Sequence, residues 1–254
     1  MTILHAIILG IVQGITEFLP ISSSGHLIIF PTLFNWPLQP LSFDIALHIG
    51  TLLALVIFFW RTLWGLLKKP NLILLLVIGT IPALVAGYFL ADLADTLLRN
   101  PLIVAVDMIW FGLIMGAVDR FSSGERKYED MATKNVLVIG FMQCLALIPG
   151  TSRSGTTIVG GRLQGLSREQ SAEFAFLLGI PVTFGAVVKG GFDLYKLGIT
   201  QSEMVLMLGG IISSALVGMI AIKWLLKFLT NHGLMPFVIY RLVVGGLLLV
   251  LFLK

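Results

Sequence analysis

The chain has 254 residues, of which 57% are apolar and only 12% charged, with a formal net charge of +4 and a mean hydropathy of +0.99. A soluble domain carries about a quarter charged residues, so this composition excludes an ordinary soluble enzyme and predicts an all-α, polytopic integral membrane protein. One cysteine, Cys144, excludes an intrachain disulfide and a cysteine metal cluster.

The first apolar stretch, Ile3 to Phe18, does not read as a cleavable signal peptide, because no Lys or Arg precedes it and Glu17 interrupts it. It is followed by "LPISSSG" and a second short segment, Ser22 to Phe34. Long apolar runs follow at Leu41–Trp60, Leu72–Leu90 and Pro101–Val118. The polar stretch "DRFSSGERKYEDMATK", residues 119–134, then divides the chain. Beyond it come short segments at Lys134–Ile148 and Thr156–Leu163, separated by "IPGTSRSG". Three long runs complete the chain, Glu169–Phe192, Glu203–Leu226 and Leu234–Leu253.

The two halves resemble each other. At an offset of 130, Gly10, Gln13, Ser22, Ser24 and Gly25 meet Gly140, Gln143, Ser152, Ser154 and Gly155. At 129, Ser42–Gly50 meets Ser171–Gly179, with Asp44 on Glu173. Pro and Gly break helices, so each short pair reads as a re-entrant hairpin. Irregular backbone at membrane depth is tolerated only inside protein or beside a wet cavity. The expected organisation is a first repeat over 1–118 (hairpin about 3–34, three spans), a linker over 119–134, and a second repeat over 135–254 (hairpin about 135–163, three spans). Three spans is an odd number, so the repeats are inverted and their hairpins meet near the midplane.

Loop charge sets an expected direction. Arg61, Lys68, Lys69, Arg120, Arg126, Lys127, Lys134, Arg162, Arg168, Lys223 and Lys227 fall on one side, against Arg99, Lys189, Lys196 and Lys254 on the other. The rich side is predicted to be cytoplasmic, with both termini outside. Basic loops of this kind record orientation rather than nucleic-acid binding. Trp36, Trp60, Trp64 and Trp110 are placed near the membrane edges.

Charged groups inside the bilayer are costly and need partners. Meeting hairpins bring Glu17, Ser22, Ser23, Ser24 and His26 to Thr151, Ser152, Arg153, Ser154, Thr156 and Thr157. The forked Arg153 guanidinium suits two phosphate oxygens, and glycines and a helix start beside it favour an anion. The alternative is an Arg that only pairs with Glu17. Ser23 and His26, three apart, make either a nucleophile with its base, or the serines cap a helix beginning near His26. Glu17 is read as a cation ligand or a general base, and Gln13, one turn earlier, as its helper or as an interhelical contact. His5 and His48 read as packing or interfacial residues, Asp44 and Glu173 as helix-start acids, and Arg241 with Asp107 as a structural pair.

The motifs "QGITEFLPISSSGH" (Gln13 to His26), "FDIALHIGTLLA" (Phe43 to Ala54) and "PGTSRSGTT" (Pro149 to Thr157) resemble those of the bacterial undecaprenyl-diphosphate phosphatase, or bacitracin-resistance protein, family. The resemblance covers nearly the whole chain. It implies hydrolysis of a polyprenyl diphosphate to the monophosphate in the bacterial cytoplasmic membrane, with a divalent cation, Mg²⁺ or Ca²⁺. It also implies crossed hairpins in inverted repeats. The family's acidic motif falls on Gln13 and Glu17, and with Gln first one metal-binding charge is missing. Its serine and histidine map to Ser23 and His26, and its arginine to Arg153; Ser22, Ser152 and Thr157 match further polar positions. Catalysis is thus expected from Ser23, His26, Glu17 and Arg153. Head-group binding is expected from Arg153, Ser22, Thr151, Ser152, Ser154, Gly155 and Thr157, in a site opening to the outer face. The attacking group is Ser23 or a water. Architecture alone points instead to a transporter or lipid flippase; the Ser-His-Glu-Arg constellation and the resemblance point to an enzyme. The sequence leaves a homo-oligomer open.

Overall fold

Two breaks in helical sequence, one in each half, shape the architecture. The computed structural model describes residues 1–98, 100–197 and 200–253, with backbone alone for 91–97 and 193–197. Arg99, Lys254 and the Lys196 side chain, counted above among the sparse cations, lie outside the described residues.

The described residues form helices and no strand. Helix α1 (Ile3–Thr16) starts at Thr2, whose hydroxyl accepts the His5 N–H, and α2 (Ser23–Leu33) follows the first break. Next come α3 (Leu41–Phe58), a short α4 (Trp60–Leu66), α5 (Pro70–Leu97) and α6 (Pro101–Phe121). The second half holds α7 (Thr133–Cys144), α8 (Arg153–Leu163), α9 (Arg168–Leu197), α10 (Gln201–Leu229) and α11 (Met235–Phe252). Helices α3, α5, α6, α9, α10 and α11 are long and apolar enough to cross a membrane. At 1.5 Å per residue, the 11 residues of α2 or α8 reach only about 17 Å. That falls short of a hydrocarbon core of ~30 Å.

Element existence follows the expectation closely, with two differences. Helix α8 starts at Arg153 rather than near Thr156, because the Ser152 side chain takes the Gly155 N–H at 3.1 Å and caps the helix there. The first long run, Leu41–Trp60, breaks at Phe59, and the separate helix α4 follows.

Each hairpin packs on a long helix of the other half. Helix α1 lies on α10 and α7 on α5, while α3 meets α9 and α6 meets α11. Small residues allow the close approach. A Cβ on Gly10 would stand 2.7 Å from the Gly210 carbonyl, and one on Gly140 2.6 Å from that of Gly79. These glycines are repeat partners, and so are the crossings they permit.

One end of the bundle carries a polar clasp. Asp119 receives Arg168 Nε at 2.7 Å and the Leu234 N–H at 2.9 Å, with Arg162 Nε at 3.6 Å. The Arg162 guanidinium also reaches the carbonyls of Ser122, Gly124 and Leu166. Lys69 meets Glu129 at 3.4 Å. The α4–α5, α6–α7, α8–α9 and α10–α11 connections therefore gather at the same end, the one holding most of the basic residues. In the linker, Tyr128 donates to Glu173 at 3.3 Å; burial, then the neighbouring carboxylates, push its hydroxyl well above the usual phenol range.

Candidate active site

Both breaks close with the same backbone turn. Ser22 and Ser152 hold φ of 75° and 80°, a left-handed region that L side chains other than glycine seldom occupy. Each caps its helix by accepting the N–H three residues on, Gly25 at 3.3 Å and Gly155 at 3.1 Å. Such strain persists where surrounding contacts impose it, and those contacts are present. Gly150 N–H donates to Ser22 Oγ at 3.2 Å, and Ser154 Oγ to the Leu19 carbonyl at 3.2 Å. The hairpins of the two halves are thus tied to each other.

Arg241 locks the junction from behind. It is fully buried and donates to the carbonyls of Pro20, Asp107, Met108, Gly150 and Thr151. It meets Asp107 through the backbone, whereas the Asp107 carboxylate accepts from the Thr151 hydroxyl. Three segments distant in sequence share this one guanidinium.

In front of the lock lies an ionic centre. Arg153 Nη2 donates to Glu17 Oε1 at 2.8 Å, joining the halves through a pair whose side chains are 15% and 4% exposed. Glu17 Oε2 accepts Ser23 Oγ at 2.6 Å and Gln13 Nε2 at 3.0 Å. His48 Nε2 stands 3.8 Å from the same oxygen, and its Nδ1 lies 2.8 Å from the Asp44 carbonyl. Arg153 Nη1 is buried and has no hydrogen-bond partner among the described residues. It rests against Gly179, where any Cβ would overlap it.

The sequence-predicted residues separate into two groups. Glu17, Ser23, Arg153 and Gln13 come together as one cluster. His26 does not join it: Nδ1 lies 2.6 Å from the Ser22 carbonyl and Nε2 2.6 Å from the Tyr240 hydroxyl. This places it in a largely apolar groove with Thr16, Leu19, Phe30 and Phe237. Ser22, Ser152 and Ser154 shape the loops, Thr151 holds Asp107, and Thr157 donates to the Arg153 carbonyl at 2.8 Å. Gly155 supplies its N–H to the cap.

Sequence reasoning missed His48 and Gly179 as parts of this centre, and Tyr240 as the partner of His26. Gly179 had a usable signal, since it is the repeat mate of Gly50 within a stretch already aligned. His48 had none beyond its place in the Phe43–Ala54 motif.

The expected cation site does not fit these residues. Both Glu17 oxygens already receive donors, Gln13 turns its NH₂ to the carboxylate, and Arg153 neutralises the charge. Among the described residues, no three His, Cys, Asp or Glu side chains gather as a metal site.

Chemically, the cluster offers a hydroxyl bonded to a carboxylate and a guanidinium with one free, buried donor. Fold and site define a multi-pass membrane protein whose polar centre is assembled from two broken-helix hairpins. The chain belongs to the bacitracin resistance protein BacA family, whose model matches residues 6–247. A relative from Trichlorobacter lovleyi, named undecaprenyl-diphosphatase, is 42% identical over 96% of this chain and 95% of its own length. Relatives of the same name from Idiomarina loihiensis and Thermodesulfovibrio yellowstonii are 41% and 43% identical, covering 99% and 93% of the chain and 100% and 92% of their own lengths.

Proposed function

We infer that the protein hydrolyses undecaprenyl diphosphate to undecaprenyl phosphate and inorganic phosphate. The observation that carries this reading is the Ser23–Glu17–Arg153 cluster, in a chain more than 40% identical to undecaprenyl-diphosphatases over nearly its full length. Phosphoryl transfer depends on positioning and charge stabilisation, and the cluster supplies both. The diphosphate head enters between the hairpins, and Arg153 receives it through the free Nη1 while Nη2 stays on Glu17. Ser23 Oγ attacks the terminal phosphorus, and the bond to the bridging oxygen breaks. Undecaprenyl phosphate leaves with that electron pair, and Glu17 takes the Ser23 proton across their 2.6 Å hydrogen bond. Water then displaces Oγ from phosphorus; Glu17 returns the proton to Oγ, the phosphate product retains one proton of the water, and the other passes to solvent. His26, bonded to Ser22 and Tyr240, positions the loop that carries Ser23.

The repeats take opposite orientations, and the basic clasp faces the cytoplasm. Both termini and the opening of the site then face outward from the bacterial cytoplasmic membrane, where the isoprenoid tail stays in lipid. Phosphate release in detergent micelles tests the function, because no transmembrane gradient exists there. Steady release supports hydrolysis. A folded protein that binds the lipid and releases nothing would instead be a transporter.

A further inference from the structure

We propose that the lipid-free site has no affinity of its own for a divalent cation, and that any cation arrives as the counter-ion of the lipid diphosphate. This rests on the diphosphate reading above. Mg²⁺ and Ca²⁺ are hard ions held by several oxygens, with carboxylate charge setting affinity.

Here the charge is cancelled. Glu17 carries −1 and Arg153, 2.8 Å away, carries +1. Gln13 and Ser23 are neutral, and both present hydrogens to Oε2. The remaining ionisable neighbour, His48, adds zero or positive charge. Farther out, Asp44 accepts Gln39 Nε2 at 2.9 Å and Asp107 accepts the Thr151 hydroxyl. Gln13 Oε1 is buried without a donor, but one neutral oxygen beside a paired carboxylate does not hold a dication. By contrast, the unpartnered Arg153 Nη1 is a donor waiting for an anion. The donor left over in this cluster therefore favours an anion over a cation.

A diphosphate changes the balance. It brings several negative oxygens to Arg153, and Mg²⁺ characteristically binds through substrate phosphates plus one or two carboxylates. Cation and lipid then bind with positive, reciprocal coupling, because Gln13 adds no charge and Arg153 cancels that of Glu17.

The test is Mn²⁺ retained by purified protein in detergent, counted after washing immobilised chains. The lipid-free wild type is expected to retain none. With a methylene-bridged, non-hydrolysable polyprenyl diphosphate it is expected to retain Mn²⁺. Gln13→Glu, which adds a carboxylate, is expected to bind Mn²⁺ without lipid. So is Arg153→Met, which leaves Glu17 unpaired, and either variant serves if the other does not fold. Stoichiometric Mn²⁺ on the lipid-free wild type, lost in Glu17→Gln, would overturn the proposal. So would lipid-loaded wild type that retains no Mn²⁺, or folded gain-of-charge variants that bind none. None of these outcomes depends on turnover, so they are distinct from a failure of the phosphatase reading.

Discussion

Gly179 offers a perturbation outside the reacting groups whose effect follows from geometry. It lies within α9, where glycine is about 1 kcal/mol less favourable than alanine, so its presence needs a local reason. A Cβ placed there would overlap Arg153 Nη1 and stand 2.9 Å from Cζ, against an ordinary contact of 3.4 Å or more. In Gly179→Ala the guanidinium centre must therefore move by at least about 0.5 Å, and Nη1 by roughly 1.5 Å, to regain van der Waals distance. That takes the free donor off the phosphate position and strains the 2.8 Å bond to Glu17. A 1 Å misplacement at a reacting centre costs on the order of 10²-fold, or about 2.7 kcal/mol of barrier. The expected result is a fall of that size in kcat/KM for phosphate release, with a folded chain by thermal unfolding in detergent. The gain in helix propensity offsets part of the strain. A folded Gly179→Ala protein within about twofold of wild type would refute the positioning argument.

Three further outcomes follow from the same contacts. Arg241→Met leaves five carbonyls in three segments without their donor, and is expected to destabilise the protein by about 3–5 kcal/mol; a thermal midpoint near wild type would show that the lock is dispensable. At Ser152, φ 80° favours glycine, so Ser152→Gly trades the cap for relief of strain, whereas Ser152→Ala loses the cap and keeps the strain. The alanine variant should be less stable than the glycine variant by more than about 1 kcal/mol, and equal unfolding midpoints would contradict this. Tyr240→Phe leaves His26 Nε2 unpartnered at a cost of about 1–3 kcal/mol of stability, with turnover changed only a few-fold if His26 positions rather than transfers protons; a loss of turnover beyond about 10²-fold at unchanged stability would return His26 to proton transfer.

Much of this arrangement was legible in the sequence for a physical reason. Glu17 and Arg153 are too costly to leave alone in an apolar chain, so each announces a partner, and the repeat offset says which segments meet. Of the serines, Ser22 is the cap, while Ser23 is bonded to Glu17, the contact on which the proposed nucleophile role rests. The divergence of His26 from Ser23 was not legible. Their spacing of three places them on neighbouring faces, and the bond to Tyr240, 214 residues away, decides which way the ring turns. Arg241 likewise looked like half of an ion pair, because sequence displays charges but not backbone carbonyls. Gly179 was overlooked although it aligns with Gly50 in the repeat, and His48 because a single histidine in an apolar helix carries no mark of what lies against it.

The central claim is that one site, built from both halves, performs the hydrolysis. Its most direct measurement compares phosphate release from undecaprenyl diphosphate by wild type, Glu17→Gln and Arg153→Ala in detergent, each checked for folding by thermal unfolding. Both variants are predicted to lose on the order of 10²–10³ in kcat, as expected when a group stabilising transition-state charge is removed. If either folded variant turns over at nearly the wild-type rate, the cross-hairpin pair is structural and the chemistry lies elsewhere.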